Sequence, residues 1–223
     1  MSHHSLPRRL TAEFLGSALL LAAVVGSGIM ADKLSGGNTG VALLANSLAT
    51  GAMLYVLITI LGPVSGAHFN PAVTAVMRIR GDIDSSAALA YVPAQIAGGL
   101  AGVIAAHAMF DLALLQTSLT ARHGAGQWIA EAIAAFGLIV TILGTVRYRP
   151  ENVPVAVGLY IVSAYWFTAS TSFANPAVTI ARGFTNTFAG IAPADIAAFI
   201  AAQMIGALAG FAVARWLFKD GEI

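Results

Sequence analysis

His68-Phe69-Asn70-Pro71-Ala72-Val73-Thr74 is written twice in this chain, the second copy being Phe173-Ala174-Asn175-Pro176-Ala177-Val178-Thr179. Asn before Pro signals a helix start: the Asn oxygen accepts from the first free N–H groups, and the Pro ring is pre-set for the first helical position. Each copy therefore opens a short helix whose first turn offers unpaired N–H groups and a positive dipole end. In a soluble protein that would be an ordinary cap.

The rest of the chain is not soluble. Of 223 residues, 58% are hydrophobic and 9% charged, with mean hydropathy +0.81. Soluble domains carry about 25% charge, so an integral membrane protein is expected. A net charge of +1 without a basic cluster argues against a nucleic-acid partner. The absence of cysteine excludes disulfides, thiol catalysis and thiolate metal sites. Arg8-Arg9 leads straight into an apolar stretch of spanning length, so no cleavable signal peptide is expected. His3-His4 reads as a mobile terminus rather than a metal site.

Apolar stretches of about 20 residues predict six spans at 10–30, 39–61, 86–110, 127–146, 153–168 and 195–218, the fifth being short. The Asn-Pro segments, 70–79 and 175–184, are too short to cross. They read as re-entrant half-helices, tolerated at membrane depth only when buried in protein or lining a wet cavity. With six spans, one side receives Arg8, Arg9, Arg78, Arg80, Arg147, Arg149, Arg215 and Lys219, the other Lys33, Arg122 and Arg182. This asymmetry places both termini in the cytoplasm.

The halves repeat, within a single domain over 1–223. Ala12-Glu13 answers Ala130-Glu131, and Ala94 to Gly102 answers Ala202 to Gly210, with Gln95 matching Gln203. An odd number of spans per repeat (approximately 8–110 and 127–219) inserts the halves in opposite directions, which places the functional site at the midplane between them. Gly98, Gly102, Gly206 and Gly210, at four-residue spacing, allow close helix approach.

Such an inverted repeat brings the half-helices head to head, with Asn70 and Asn175 near the bilayer centre. Each amide oxygen caps its own helix while its NH₂ donates toward the lumen. Two donors and two positive helix ends favour a solute oxygen and repel cations. Extended backbone at Gly66-Ala67-His68 and Ser172-Phe173-Ala174 supplies carbonyl acceptors along one wall, and apolar side chains form the other. This describes a passive pore for small uncharged solutes.

On the paired Asn70-Pro71-Ala72 and Asn175-Pro176-Ala177 boxes, Glu13, Glu131, Gln95 and Gln203, the whole chain resembles the aquaporin and aquaglyceroporin (major intrinsic protein) family. The resemblance implies an all-α fold of six transmembrane helices plus two re-entrant half-helices and a homotetramer with one pore per subunit. It also implies that Glu13 and Glu131 hold the loops, with Gln95 and Gln203 acting alike.

Aligned without gaps on the boxes, the family's outer filter falls on Thr50, Ser163, Ser172 and Val178. Val178 stands where the family nearly always has arginine, so the expected filter is wide and lacks its fixed charge. A one-residue gap would put Phe173 in the third position, as in glycerol-type members. Arg182, one turn after Val178 on the same face, is either a displaced filter arginine or, the favoured reading, an interfacial side chain snorkelling to water. Such filters resemble a bacterial subgroup from arsenic-resistance gene clusters. Water, glycerol-like polyols, arsenite or antimonite hydroxides and small organoarsenicals are then the candidate solutes, in a bacterial inner membrane.

Other residues read plainly. Intramembrane Glu13 and Glu131 would suit a proton-coupled transporter, the alternative reading, with a strictly water-selective channel as another. His68 is expected to offer its carbonyl to the pore rather than bind metal; were its ring to face the cytoplasmic mouth, protonation would add charge there and gate weakly. His107 and His123 are expected to be solvated or interfacial, and Asp82 and Asp84 to lie in a cytoplasmic loop capping the third span. No Ser-His-Asp spacing, phosphate loop or metal cluster is present, so neither an enzyme nor a cofactor is expected.

Overall fold

The computed structural model describes residues 4–218; His3 and Lys219, used above, lie outside them. In order, the helices are α1 Leu6–Leu34, α2 Thr39–Ser65, α3 Pro71–Arg80, α4 Ser85–Met109, α5 Ala125–Tyr148, α6 Val153–Phe167, α7 Pro176–Arg182 and α8 Pro193–Leu217. A 3₁₀ turn, Pro150–Asn152, leads into α6, and no strand occurs among the described residues. The fold is all-helical, with α3 and α7 as the two short elements.

Local chemistry explains the boundaries. Asn38 and Asp84 cap α2 and α4 by accepting from the Val41 and Ala87 amides. Asp84 also accepts from Ser86 Oγ, and this hydrogen bond holds its carboxyl below the usual carboxylate range. α2 stops at Gly66, which is left-handed (φ 89°). Five helices (α1, α2, α4, α5 and α8) are long and apolar enough to cross a membrane. The 15-residue α6 is the short fifth span expected from the sequence.

The principal packed pairs are α1 with α4 and α5 with α8, and the half-helices α3 and α7 are wedged between α4 and α8. The glycines make this possible. A Cβ on Gly98 or Gly102 would overlap the carbonyls of Phe14 or Ala18, and one on Gly206 the carbonyl of Ala132. Backbone oxygens cannot step aside, so Gly206→Val should force α5 and α8 apart. Overpacking of this kind costs about 1–3 kcal/mol or more. A lowered thermal midpoint in detergent is the expected result, and an unchanged one would show that the helices tolerate separation.

Candidate functional site

The site grows from the two Asn-Pro boxes. Asn70 Oδ1 accepts from the amides of Ala72 and Val73 (2.9 and 3.4 Å). Asn175 Oδ1 does the same for Ala177 and Val178 (2.9 and 3.3 Å). Each Nδ2 then crosses to the other half: Asn70 donates to the Ala174 carbonyl and Asn175 to the Phe69 carbonyl, both at 2.8 Å. One hydrogen of each amide thus ties the two loops together, which leaves the other for the lumen. Sequence reasoning had both donating to the lumen, and the crossing bonds also occupy the Ala174 carbonyl.

The loops before the boxes pass repeatedly through left-handed backbone, at Gly66 (φ 89°), Ala67 (φ 50°) and Phe69 (φ 49°), then at Thr171 (φ 62°), Ser172 (φ 51°) and Ala174 (φ 48°). Each such non-glycine residue costs about 1–3 kcal/mol and persists only when its surroundings dictate it. The carboxylates supply that constraint. Glu13 accepts from the amides of His68 and Phe69, from Ser65 Oγ and from Gln95 Nε2. Glu131 accepts from the amides of Phe173 and Ala174 and from Gln203 Nε2.

Gln95 and Gln203 donate further to Thr74 and Thr179, whose hydroxyls return to the Asn70 and Asn175 carbonyls. These threonines were not singled out from the sequence, although Thr closes both copies of the repeated stretch. All four acidic and amide side chains are fully buried. Neither Glu13 nor Glu131 lines the cavity between the halves. Their oxygens face loop amides rather than a solute path.

That cavity, of about 460 Å³, opens between Arg9, Arg80 and Asp82 and runs past Asn70 and Asn175 to Thr50, Tyr165, Phe173 and Arg182. Gly66, Ala67, His68 and Ala174 lie along it, opposite apolar residues such as Leu54, Leu138, Val157 and Ile161. His68 is fixed by its Nδ1 contact to Thr74 Oγ1 (3.1 Å) and by edge-to-face packing on Tyr91. Among the described residues no group of three or more metal-ligating side chains occurs.

Four outer positions need separate accounts. Thr50, Ser172 and Val178 line the cavity, whereas Ser163 is exposed on the outside of α6. Helical periodicity explains the correction: Val157, Ile161 and Tyr165 share the inner face at four-residue spacing, and Ser163 falls between them. Tyr165, not Ser163, faces the cavity from α6, its hydroxyl 3.2 Å from Thr50 Oγ1. Ser172 and Phe173 both reach the cavity, so the two alignments of the third position are not exclusive.

Arg182 does not snorkel. It is 2% exposed, donates from Nε to the Ala189 carbonyl and holds its guanidinium 3.4 Å from the centroid of the Phe173 ring. Its Nη1 is buried without a hydrogen-bond partner. Arg182 lines the main cavity and also a second cavity of about 300 Å³ shared with Asn46, Arg122, Thr171 and Phe188. Arg122, which the sequence marked only as a charge on the outer side, lies 4.9 Å from the same Phe173 ring. Its Nε and Nη1 bind the carbonyls of Gly190 and Ser170, its amide binds Asp195, and burial pushes its guanidinium pKa down.

His107 is likewise corrected. It is fully buried, bonding the Leu114 carbonyl through Nδ1 and Thr185 Oγ1 through Nε2, and so staples the loop after α4 to the loop after α7. His123 is largely exposed, 3.9 Å from Asp195.

A bundle of spanning helices closed by two opposed half-helices around a cavity defines a multi-pass membrane channel, not an enzyme. The chain belongs to the major intrinsic protein family, whose profile, described as "Major intrinsic protein", matches residues 1–163. It is 56% identical over 222 residues to aquaglyceroporin AqpS of Rhizobium meliloti, covering 100% of this chain and 95% of that protein. Aquaporin Z of Photorhabdus laumondii is 28% identical over 237 residues, covering 96% and 99% of the two chains. The X-ray structure of the aquaglyceroporin from Plasmodium falciparum superposes with a TM-score of 0.75 at 18% identity, covering 94% of this chain and 95% of that one.

Proposed function

We propose that the protein conducts water and small uncharged, hydroxyl-bearing solutes passively, and that its filter is of the polyol-accepting type. The observation that carries this reading is the pairing of Phe173 with Arg182 at the outer end of the cavity. A ring beside buried guanidinium donors suits a molecule with C–H on one side and hydroxyls on the other. Glycerol has that shape. The neutral hydroxides of arsenite and antimonite present hydroxyls to the same donors, and small organoarsenicals add an apolar group for the ring.

The filter in this reading consists of Thr50, Tyr165, Phe173 and Arg182, with Ser172 and Val178 on its wall. Arg182 supplies the fixed charge that Val178 lacks, and the crossed amides of Asn70 and Asn175 supply the central donors. The relative's printed name, aquaglyceroporin, supports a solute range beyond water. We further propose a homotetramer in a bacterial inner membrane, as the family resemblance implies, with both termini cytoplasmic; the lysine and arginine asymmetry supports that orientation.

Stopped-flow light scattering on proteoliposomes, with water, glycerol and arsenite gradients, tests this. Rapid, non-saturating downhill entry of glycerol and arsenite is expected. Entry of water alone would mean that Phe173 and Arg182 close the path to anything larger. Uphill uptake driven by a pH gradient would overturn the channel reading in favour of a transporter.

A further inference from the structure

Beside the main cavity, the second one of about 300 Å³ holds two arginines, Arg122 and Arg182, and no acidic side chain is among its lining residues. Both arginines keep donors in reserve. Arg182 is 2% exposed and spends only Nε, on the Ala189 carbonyl, while Nη1 meets no acceptor. Arg122 spends Nε and Nη1 on the Gly190 and Ser170 carbonyls, which leaves Nη2. Neither belongs to an ion pair among the described residues. The acids on this side are engaged, Glu131 by loop amides and Gln203, Asp195 by the main-chain amide of Arg122. Asp220 and Glu222 follow α8 in sequence, a helix of 25 residues and about 37 Å that begins beside Asp195.

The rest of the lining fits an anion of one kind. Thr39 and Gly40, exposed in the first turn of the 27-residue α2, border the cavity. There the cap Asn38 serves only Val41, and the open amides and dipole of a helix start favour negative charge. Asn46 turns its amide hydrogens away, to the Val24 carbonyl and Ser27 Oγ, which leaves its oxygen as an acceptor. Leu43 and Phe188 are apolar. Guanidinium donors pair two at a time with carboxylate oxygens. We propose that this cavity binds a small monocarboxylate bearing a hydroxyl. Its carboxylate is held by Arg122 and Arg182, its hydroxyl donates to Asn46 Oδ1, and its carbon lies against Leu43 and Phe188. A halide would leave the Asn46 oxygen unmatched. A neutral polyol would leave the two charges uncompensated, at the cost that buried unpaired charge carries. The site requires only this cavity, so it stands whatever the pore conducts.

Scintillation-proximity binding of radiolabelled glycolate to the full-length protein in detergent, at constant ionic strength, tests the proposal. Glycolate should bind saturably and be displaced by unlabelled glycolate, whereas its neutral counterpart glycolamide should not compete. Arg122→Gln should weaken binding by about tenfold or more, the usual worth of a hydrogen bond to a charged group. Leu43→Trp keeps both arginines but fills the cavity, and should weaken binding by at least as much. Displacement by glycolamide equal to that by glycolate, or the absence of saturable binding, would overturn the proposal without any variant. So would wild-type affinity in Leu43→Trp. Leu43 lines the second cavity and not the main one, so that result would put the glycolate in the pore or on the surface.

Discussion

Glu13→Ala is expected to abolish recovery of folded protein. Its carboxylate satisfies two loop amides, the Ser65 hydroxyl and the Gln95 amide in a fully buried position. Each buried donor left without a partner costs about 1–3 kcal/mol, and whole domains are held by only about 5–15 kcal/mol. The left-handed backbone at Ala67 and Phe69 would lose the acceptor that dictates it. Glu13→Gln should be milder, since it keeps one acceptor oxygen but turns an NH₂ toward other donors. Size-exclusion profiles and thermal midpoints in detergent provide the check. A Glu13→Ala protein with a wild-type midpoint would show that the loop holds itself.

Arg182→Ala is expected to widen the proposed filter and open it to cations. The substitution removes a buried charge where the two cavities meet, and the group against which the Phe173 ring packs. At about 4 Å and an effective dielectric near ~20, a unit charge repels a cation by about 4 kcal/mol. Even a third of that is about a tenfold change in entry. Glycerol flux and sodium leak should both rise in proteoliposomes, while Arg182→Lys should keep cation exclusion and lose only the planar contact with the ring. Unchanged sodium leak in Arg182→Ala would move the cation barrier to Asn70 and Asn175 alone.

The repeated box, the six apolar stretches and the matched Glu and Gln positions carried the fold in the sequence itself. Each is a local or periodic signal: a cap is read from adjacent residues, and a span from hydropathy over its own length. The same holds for the reading of Glu13 and Glu131 as loop supports. Their symmetry and early position in matching spans pointed to loop support over proton relay, and the structure bonds both to the loops before the boxes.

The lining at the Arg182 end of the cavity was not legible in this way, because its members come from separate elements and only three-dimensional register brings them together. A gapless alignment counted twelve positions back from Asn175 to Ser163, but the rotation of α6 turns Tyr165 inward instead. Arg182 has an interfacial look in sequence, being the last residue of a short helix. Yet the segment after α7 folds back over it, and the Ala189 carbonyl and Phe173 ring hold it inside. Arg122 and His107 depend on the same outer loops, whose path no periodicity records. Sequence alone determined that a membrane-spanning inverted repeat presents two asparagines to one another, since caps and spans are written in consecutive residues. Tertiary structure alone decided which charge and which rings stand at the mouth, since that depends on how a helix is rotated and where a loop returns.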